Sequence, residues 1–157
     1  MAVKRDGEKY LGTELRVPLS EDGQVAAYVW PIRIVVIQGV ACGGPTIGVD
    51  VGNQEIIRFD CHDTRGHWHS GGYDSNQPGN SQNTMPGGVL ASADQVEWSL
   101  KTIREDVCKL LTEANHDEAA QKVTPMLLDF ALESIKTHLD QIGDMRTKLI
   151  ADKLIAA

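Results

Sequence analysis

The hydrophobic pattern changes period near the middle of the chain. Up to His69 apolar residues come in short β-branched runs punctuated by glycine, proline and acidic turns, whereas beyond Ser92 they recur every three or four residues. The first half therefore predicts sheet and the second helix. Thr13 to Val17 reads as a short strand ending near Pro18, and the turn Glu21-Asp22-Gly23 leads into a strand over Val25 to Trp30. Pro31 breaks that strand or marks a bulge. Ile32 to Gln38 is an almost continuous Ile/Val run suited to a central strand, and Gly39 to Pro45 reads as a connection. Gly52-Asn53, two residues that tolerate positive φ, join Thr46–Val51 to Gln54–His62 as a tight hairpin.

In the second half, Ser92-x-x-Gln95 and Asp94-x-x-Glu97 both resemble capping boxes. Val96, Leu100, Ile103, Val107, Leu110 and Ala114 then predict a helix of about twenty residues, with Cys108 in its core. Asn115-His116-Asp117 interrupts it. Thr124-Pro125, an N-cap followed by proline at the first helical position, opens a second long helix with Leu128, Ala131, Ile135, Leu139 and Ile142 on one face. Gly143-Asp144 marks a stop or kink, after which Met145, Leu149 and Leu154 continue the stripe. These stripes read as core or as a contact between copies, which makes a homo-oligomer formed through the helices an expectation. Between the halves, the Gly/Ser/Asn/Pro-rich stretch predicts a flexible loop, either a connector or a lid. The expected fold is a single α+β domain: a mainly antiparallel sheet over 10–70 with a histidine-bearing hairpin, a flexible loop over 70–93, and two to three helices over 94–157 packed against the sheet.

Composition narrows the function classes. Of 157 residues, 41% are hydrophobic and 24% charged, which suits a folded, water-soluble chain rather than a disordered or membrane one. The longest apolar stretch, Val25 to Ala41, is interrupted by Pro31, Arg33 and Gln38, so no membrane partner is expected. The charged start, Met1 to Asp6, does not read as a secretory signal, and a cytoplasmic location is expected. A net charge of −7 argues against a broad nucleic-acid surface, so any contact with RNA must be local. Three cysteines without CxxC spacing form neither a disulfide framework nor a zinc ribbon. Gly43-Gly44-Pro45 lacks the lysine and context of a phosphate loop, and no nucleotide cofactor is assigned.

Chemistry concentrates in Arg58 to His69, which holds three of the five histidines. Alternation puts Arg58, Asp60 and His62 on one face of a strand and Ile57, Phe59 and Cys61 on the other. Asp63-Thr64-Arg65-Gly66 has the composition of a four-residue hairpin loop. Symmetric closure would oppose His62 to His67, Cys61 to Trp68 and Asp60 to His69, collecting Arg58, Asp60, His62, His67 and His69 on one exposed polar surface.

Three readings follow. Paired histidines could serve as base and acid, with Asp60 and Arg58 beside them and with Arg65 and Tyr73 binding an anionic substrate; internal transesterification of a phosphate ester, including RNA, needs no more. Alternatively, Asp60, His62, His67 and His69 form a ligand set suited to Zn²⁺ or another divalent first-row ion. The third reading is an ordinary histidine-bearing surface on a non-enzymatic module that docks a partner through its helices.

The strand order, the R-F-D-x-H segment, the turn, H-x-H and the following amphipathic helix resemble the small TumE-type toxins of bacterial toxin–antitoxin systems. The specific part is Arg58, Asp60, His62, His67 and His69. The resemblance implies a small α+β fold, RNA cleavage or another growth-arresting reaction, and an antitoxin-like protein partner or larger assembly.

Overall fold

β-Bulges decide which side chains share a face. The computed structural model describes residues 7–72 and 81–157. Seven strands form one antiparallel sheet: β1 (Lys9–Leu11), β2 (Leu15–Pro18), β3 (Val25–Ile37), β4 (Val40–Val51), β5 (Gln54–Asp60), β6 (His67–Ser70) and β7 (Ser81–Thr84). They lie in the order β1-β3-β4-β5-β6-β7, with β2 also pairing with β3. Four helices follow: α1 (Ser92–Glu113), α2 (Asp117–Lys122), α3 (Pro125–Ile142) and α4 (Met145–Ala151).

The expected α+β architecture is the observed one, with local corrections. Pro31 does not end its strand. β3 runs through it as a bulge, Trp30 facing Thr46 and Arg33 facing Gly44, so one extra residue is absorbed and Trp30 and Arg33 keep the same face. The proposed connection over Gly39 to Pro45 is mostly strand, because Gln38 and Gly39 alone make the turn, both at positive φ. Part of the expected flexible loop is also strand: Ser81–Thr84 pairs with β6. Cys108 is exposed rather than core, since it lies one helical step round from buried Val107. Within the Asn115 to Thr124 break, α2 inserts a short helix and buries Ala119.

One sheet face is apolar and carries the helices. Val25, Ala27, Val29, Ile47, Val49, Ile57, Phe59 and Cys61 pack against Ile103, Val107, Leu111, Ala131, Leu132 and Ile135 of α1 and α3. Phe59 stacks on Trp68 at 5.3 Å, and both meet the edge of Trp98 from α1. Most of the predicted stripe residues thus pack on the sheet, while Leu154 stays exposed. Ile32, within the β3 bulge, and Ile34, just beyond it, pack instead on Leu149 of α4 and Ile155. No helix among the described residues is long and apolar enough to cross a membrane.

The opposite face is polar yet buried. Trp30, Thr46, Asp60 and His67 form one row across β3 to β6, and Tyr28, Gly48, Arg58 and His69 form the next. Two glycines let this face close. A Cβ at Gly48 would enter the Tyr28 ring, and a Cβ at Gly44 would lie 2.1 Å from the Cys61 carbonyl oxygen. Gly44→Ala therefore forces backbone apart where the chain leaves β5. We expect it to cost about 2 kcal/mol or more in urea denaturation, the upper range for overpacking.

Candidate functional site

The strand that carries Asp60 sets the site. β5 and β6 pair Asp60 with His67, Phe59 with Trp68 and Arg58 with His69. The expected register is thus shifted by two residues, and the connecting loop is longer than four. An even shift keeps every side chain on its predicted face, so Asp60, His67 and His69 still converge. His62 leaves the strand and precedes a single 3₁₀ turn over Asp63–Arg65.

Asp60 is fully buried and heavily partnered. Its Oδ1 accepts from Arg33 Nη1 at 2.7 Å and Thr46 Oγ1 at 2.9 Å, while Oδ2 accepts from Arg58 Nε at 3.0 Å. His67 Nε2 approaches Oδ2 at 3.1 Å and His69 Nε2 lies 3.9 Å from it. Burial alone would raise the Asp60 pKa, but Arg58, the His67 hydrogen bond and Arg33 outweigh it and hold the carboxyl well below its ordinary range. Arg33 continues to Glu8, and Arg58 to Glu55 at 3.5 Å, which in turn accepts from Tyr28 Oη. The anticipated exposed surface is therefore an interior network; the bulges and glycines close the polar face that strand alternation alone would leave to water.

The histidines have opposite environments. His67 Nδ1 lies 3.0 Å from the Arg65 carbonyl, which can only accept, and its Nε2 faces the ionised Asp60. Both ring nitrogens are thus set to donate. Although burial opposes the charge, these bonds raise the His67 pKa, which favours imidazolium. His62 is 2% exposed, and neither ring nitrogen has a hydrogen-bond partner among the described residues. Burial pushes it down to about 4, so it is neutral at pH 7. Its ring meets that of His67 edge to face at 6.3 Å.

The predicted site residues divide accordingly. Asp60, His67 and His69 come together, their ligand atoms all within 4.8 Å of one another, and could hold a metal ion. His62 adjoins them. Arg58 is also there, but it is engaged with Asp60 and Glu55 rather than open to an anionic substrate. Arg65 is exposed on the loop, and only its carbonyl reaches the group. Tyr73 lies outside the described residues. Sequence reasoning missed Arg33, Thr46 and Glu55; Arg33 carried a signal, as a charged residue inside an Ile/Val run that must be paired if buried.

Residues expected to cap α1 hold the loop instead. Ser92 Oγ donates to the Cys61 carbonyl at 2.7 Å. Buried Gln95 accepts from Asp63 N at 3.0 Å and donates to the Asp63 carbonyl at 2.8 Å. From α4, Arg146 Nη1 meets Asp63 Oδ2 at 2.9 Å. A groove of about 960 Å³ between α1, α3 and α4 reaches Asp63 and Arg146, and its lining does not include the histidines.

A family described as a domain of unknown function (DUF7700) matches residues 24–139, and the chain belongs to it. No curated protein and no solved structure matches.

Two outcomes follow from the network. Asp60→Asn leaves Arg33 and Arg58 buried without their shared anion, and we expect a loss of about 3–5 kcal/mol in chemical denaturation. For His62, the folded pKa lies below its unfolded value near 6.5, so its contribution to stability falls as pH drops from 6.5 towards 4, by about 3 kcal/mol in full. Asp50, pushed up to about 7 by burial, acts with the opposite sign over the same range. The difference in stability between wild type and His62→Gln, measured from pH 7 to 4, isolates the histidine and should shift in favour of the variant as pH falls.

Proposed function

We propose that this member of the DUF7700 family is a metal-binding protein whose Asp60, His67 and His69 hold one divalent first-row transition-metal ion, Zn²⁺ foremost. The observation that carries the reading is the convergence of an ionised carboxylate and two imidazoles within 4.8 Å in a buried setting. This mixed oxygen and nitrogen set suits zinc. The Arg65 carbonyl at His67 Nδ1 supports it as well, because ligating histidines commonly donate their second N–H to such an oxygen, which leaves Nε2 for the ion. Charge is compatible. Glu8, Glu55 and Asp60 set three carboxylates against the two guanidiniums of Arg33 and Arg58, and the Nε2 proton of His67 occupies the place a cation would take. Arg58 competes for Asp60 Oδ2, which tempers affinity.

An ion held by three protein ligands and a water supplies a nucleophile near neutral pH. A second reading without metal is favoured by the divergence of the histidine pair: neutral His62 would act as base and His67 as acid on a phosphate ester such as RNA. Arg58 is occupied and Arg65 points elsewhere, so this reading lacks the cation that would hold the phosphate.

Elemental analysis of purified protein, repeated after chelation and Zn²⁺ readdition, tests the first reading. One equivalent should bind to wild type and be lost in both His67→Ala and His69→Ala; binding that survives in both variants, or none in wild type, overturns it. Chelated wild type that still cleaves a chromogenic phosphodiester, with loss in His62→Gln, would select the second reading.

A further inference from the structure

Opposite charges mark where α1 and α3 meet. Arg104 Nη1 lies 3.7 Å from Asp129 Oδ1, and its Nη2 lies 3.7 Å from Glu133 Oε1. From there the first half of α1 and the second half of α3 line the two sides of the groove, so the helices run antiparallel and each turn back along α1 meets a turn onward along α3. The charges then stop matching. One turn from the Arg104–Glu133 pair, spacing sets Lys101 opposite Lys136, and a turn further Glu97 stands opposite Asp140. All four are exposed, and none of them joins an ion pair among the described residues. Like charges facing across a gap repel, whereas a group of the other sign lying between them attracts both. Between these rims the floor is apolar, with Ile32 of β3 at the bottom and Val96, Leu100 and Leu139 only partly buried at the sides. A helix about 10 Å across occupies roughly 420 Å³ per turn. The groove, at about 960 Å³, therefore holds about two turns.

We infer that this groove is the docking site for an amphipathic α-helix of a protein partner. The partner's apolar stripe lies on Ile32, Val96, Leu100 and Leu139, a carboxylate enters between Lys101 and Lys136, and a Lys or Arg one turn away enters between Glu97 and Asp140. Both signs are required. A uniformly acidic segment would meet Glu97 and Asp140, and a uniformly basic one would meet the two lysines, so the paired rims reject either. A second copy of the chain matches less well. Its most exposed large apolar side chains, Met126 at 82% and Phe130 at 65%, share a face of α3 with Asp129 and Glu133 and would bring acids alone. The inference is independent of the metal-binding reading, since neither Asp60 nor any histidine lines the groove.

Stapled synthetic helices of about four turns, each with the same leucine stripe, are the probes. Beside the stripe one carries Glu and Lys a turn apart, another carries Glu at both places, and the last carries Lys at both. Fluorescence anisotropy measures their binding to wild type and to the double variant Lys101→Glu/Lys136→Glu, whose substituted positions are exposed, and amide NMR shifts locate it. We expect wild type to bind the mixed helix at least about tenfold more tightly than either uniform one, with shifts centred on Val96, Leu100 and Leu139. The double variant, acidic on all four positions, should instead prefer the all-Lys helix. Equal affinity for all the helices, an unchanged preference in the variant, shifts away from the groove, or no binding of any helix overturns the inference. Sedimentation of wild type alone supplies the remaining check: a dimer that forms with the same groove shifts would make a second copy the occupant, and the inference falls.

Discussion

Everything on the polar face of the sheet is organised by one buried anion. Asp60 receives a guanidinium on each oxygen, a threonine hydroxyl on one and an imidazole on the other. A carboxylate removed from water tolerates ionisation only with such compensation, and each guanidinium needs the carboxylate equally. The cluster extends outward through Glu8 and through Glu55 to Tyr28, so the charges balance as a group rather than pair by pair. Arrangements of this kind contribute little net stability against a hydrophobic replacement. What they fix is geometry: the orientation of the His67 ring, the inward direction of His69 and the spacing between them.

That constraint explains features of the fold that packing alone does not. The bulge at Pro31 is what keeps Arg33 on the same face as Trp30, within reach of Asp60. A second bulge, with Ile56 as the extra residue, lets Glu55 return to the polar side opposite Asp50 while Ile56 and Ile57 both join the core. Gly48 and Gly44 leave room for Tyr28 and for the chain at Cys61. Each departs from regular strand and each serves the polar network, as expected where local irregularity is maintained by function or by a buried charge.

Much of this was legible from residue order, and the failures have particular causes. The two long helices followed from their three-four periodicity and from Thr124-Pro125, because an amphipathic stripe reports directly on burial against a sheet. The convergence of Asp60, His67 and His69 survived an error in loop length only because the error was even. Burial of the polar face was not legible. Alternation distinguishes two faces but does not say which meets water, and Arg33 within its apolar run was the local hint. Ser92 and Gln95 had the spacing of a capping box, yet their side chains serve a loop distant in sequence, which helix-end signals cannot anticipate.

The two chemical readings differ in whether they use His62. As a base it must meet a substrate, and the described residues around it offer a closed loop, a glycine and another imidazole rather than a cleft. The metal reading needs only an ion, a guest small enough for the buried group of Asp60, His67 and His69, and it asks nothing of His62, which stands outside that group. A loop secured from α1 and α4 also sets the Arg65 carbonyl against His67 Nδ1, so the anchoring orients a ring that the metal reading does use.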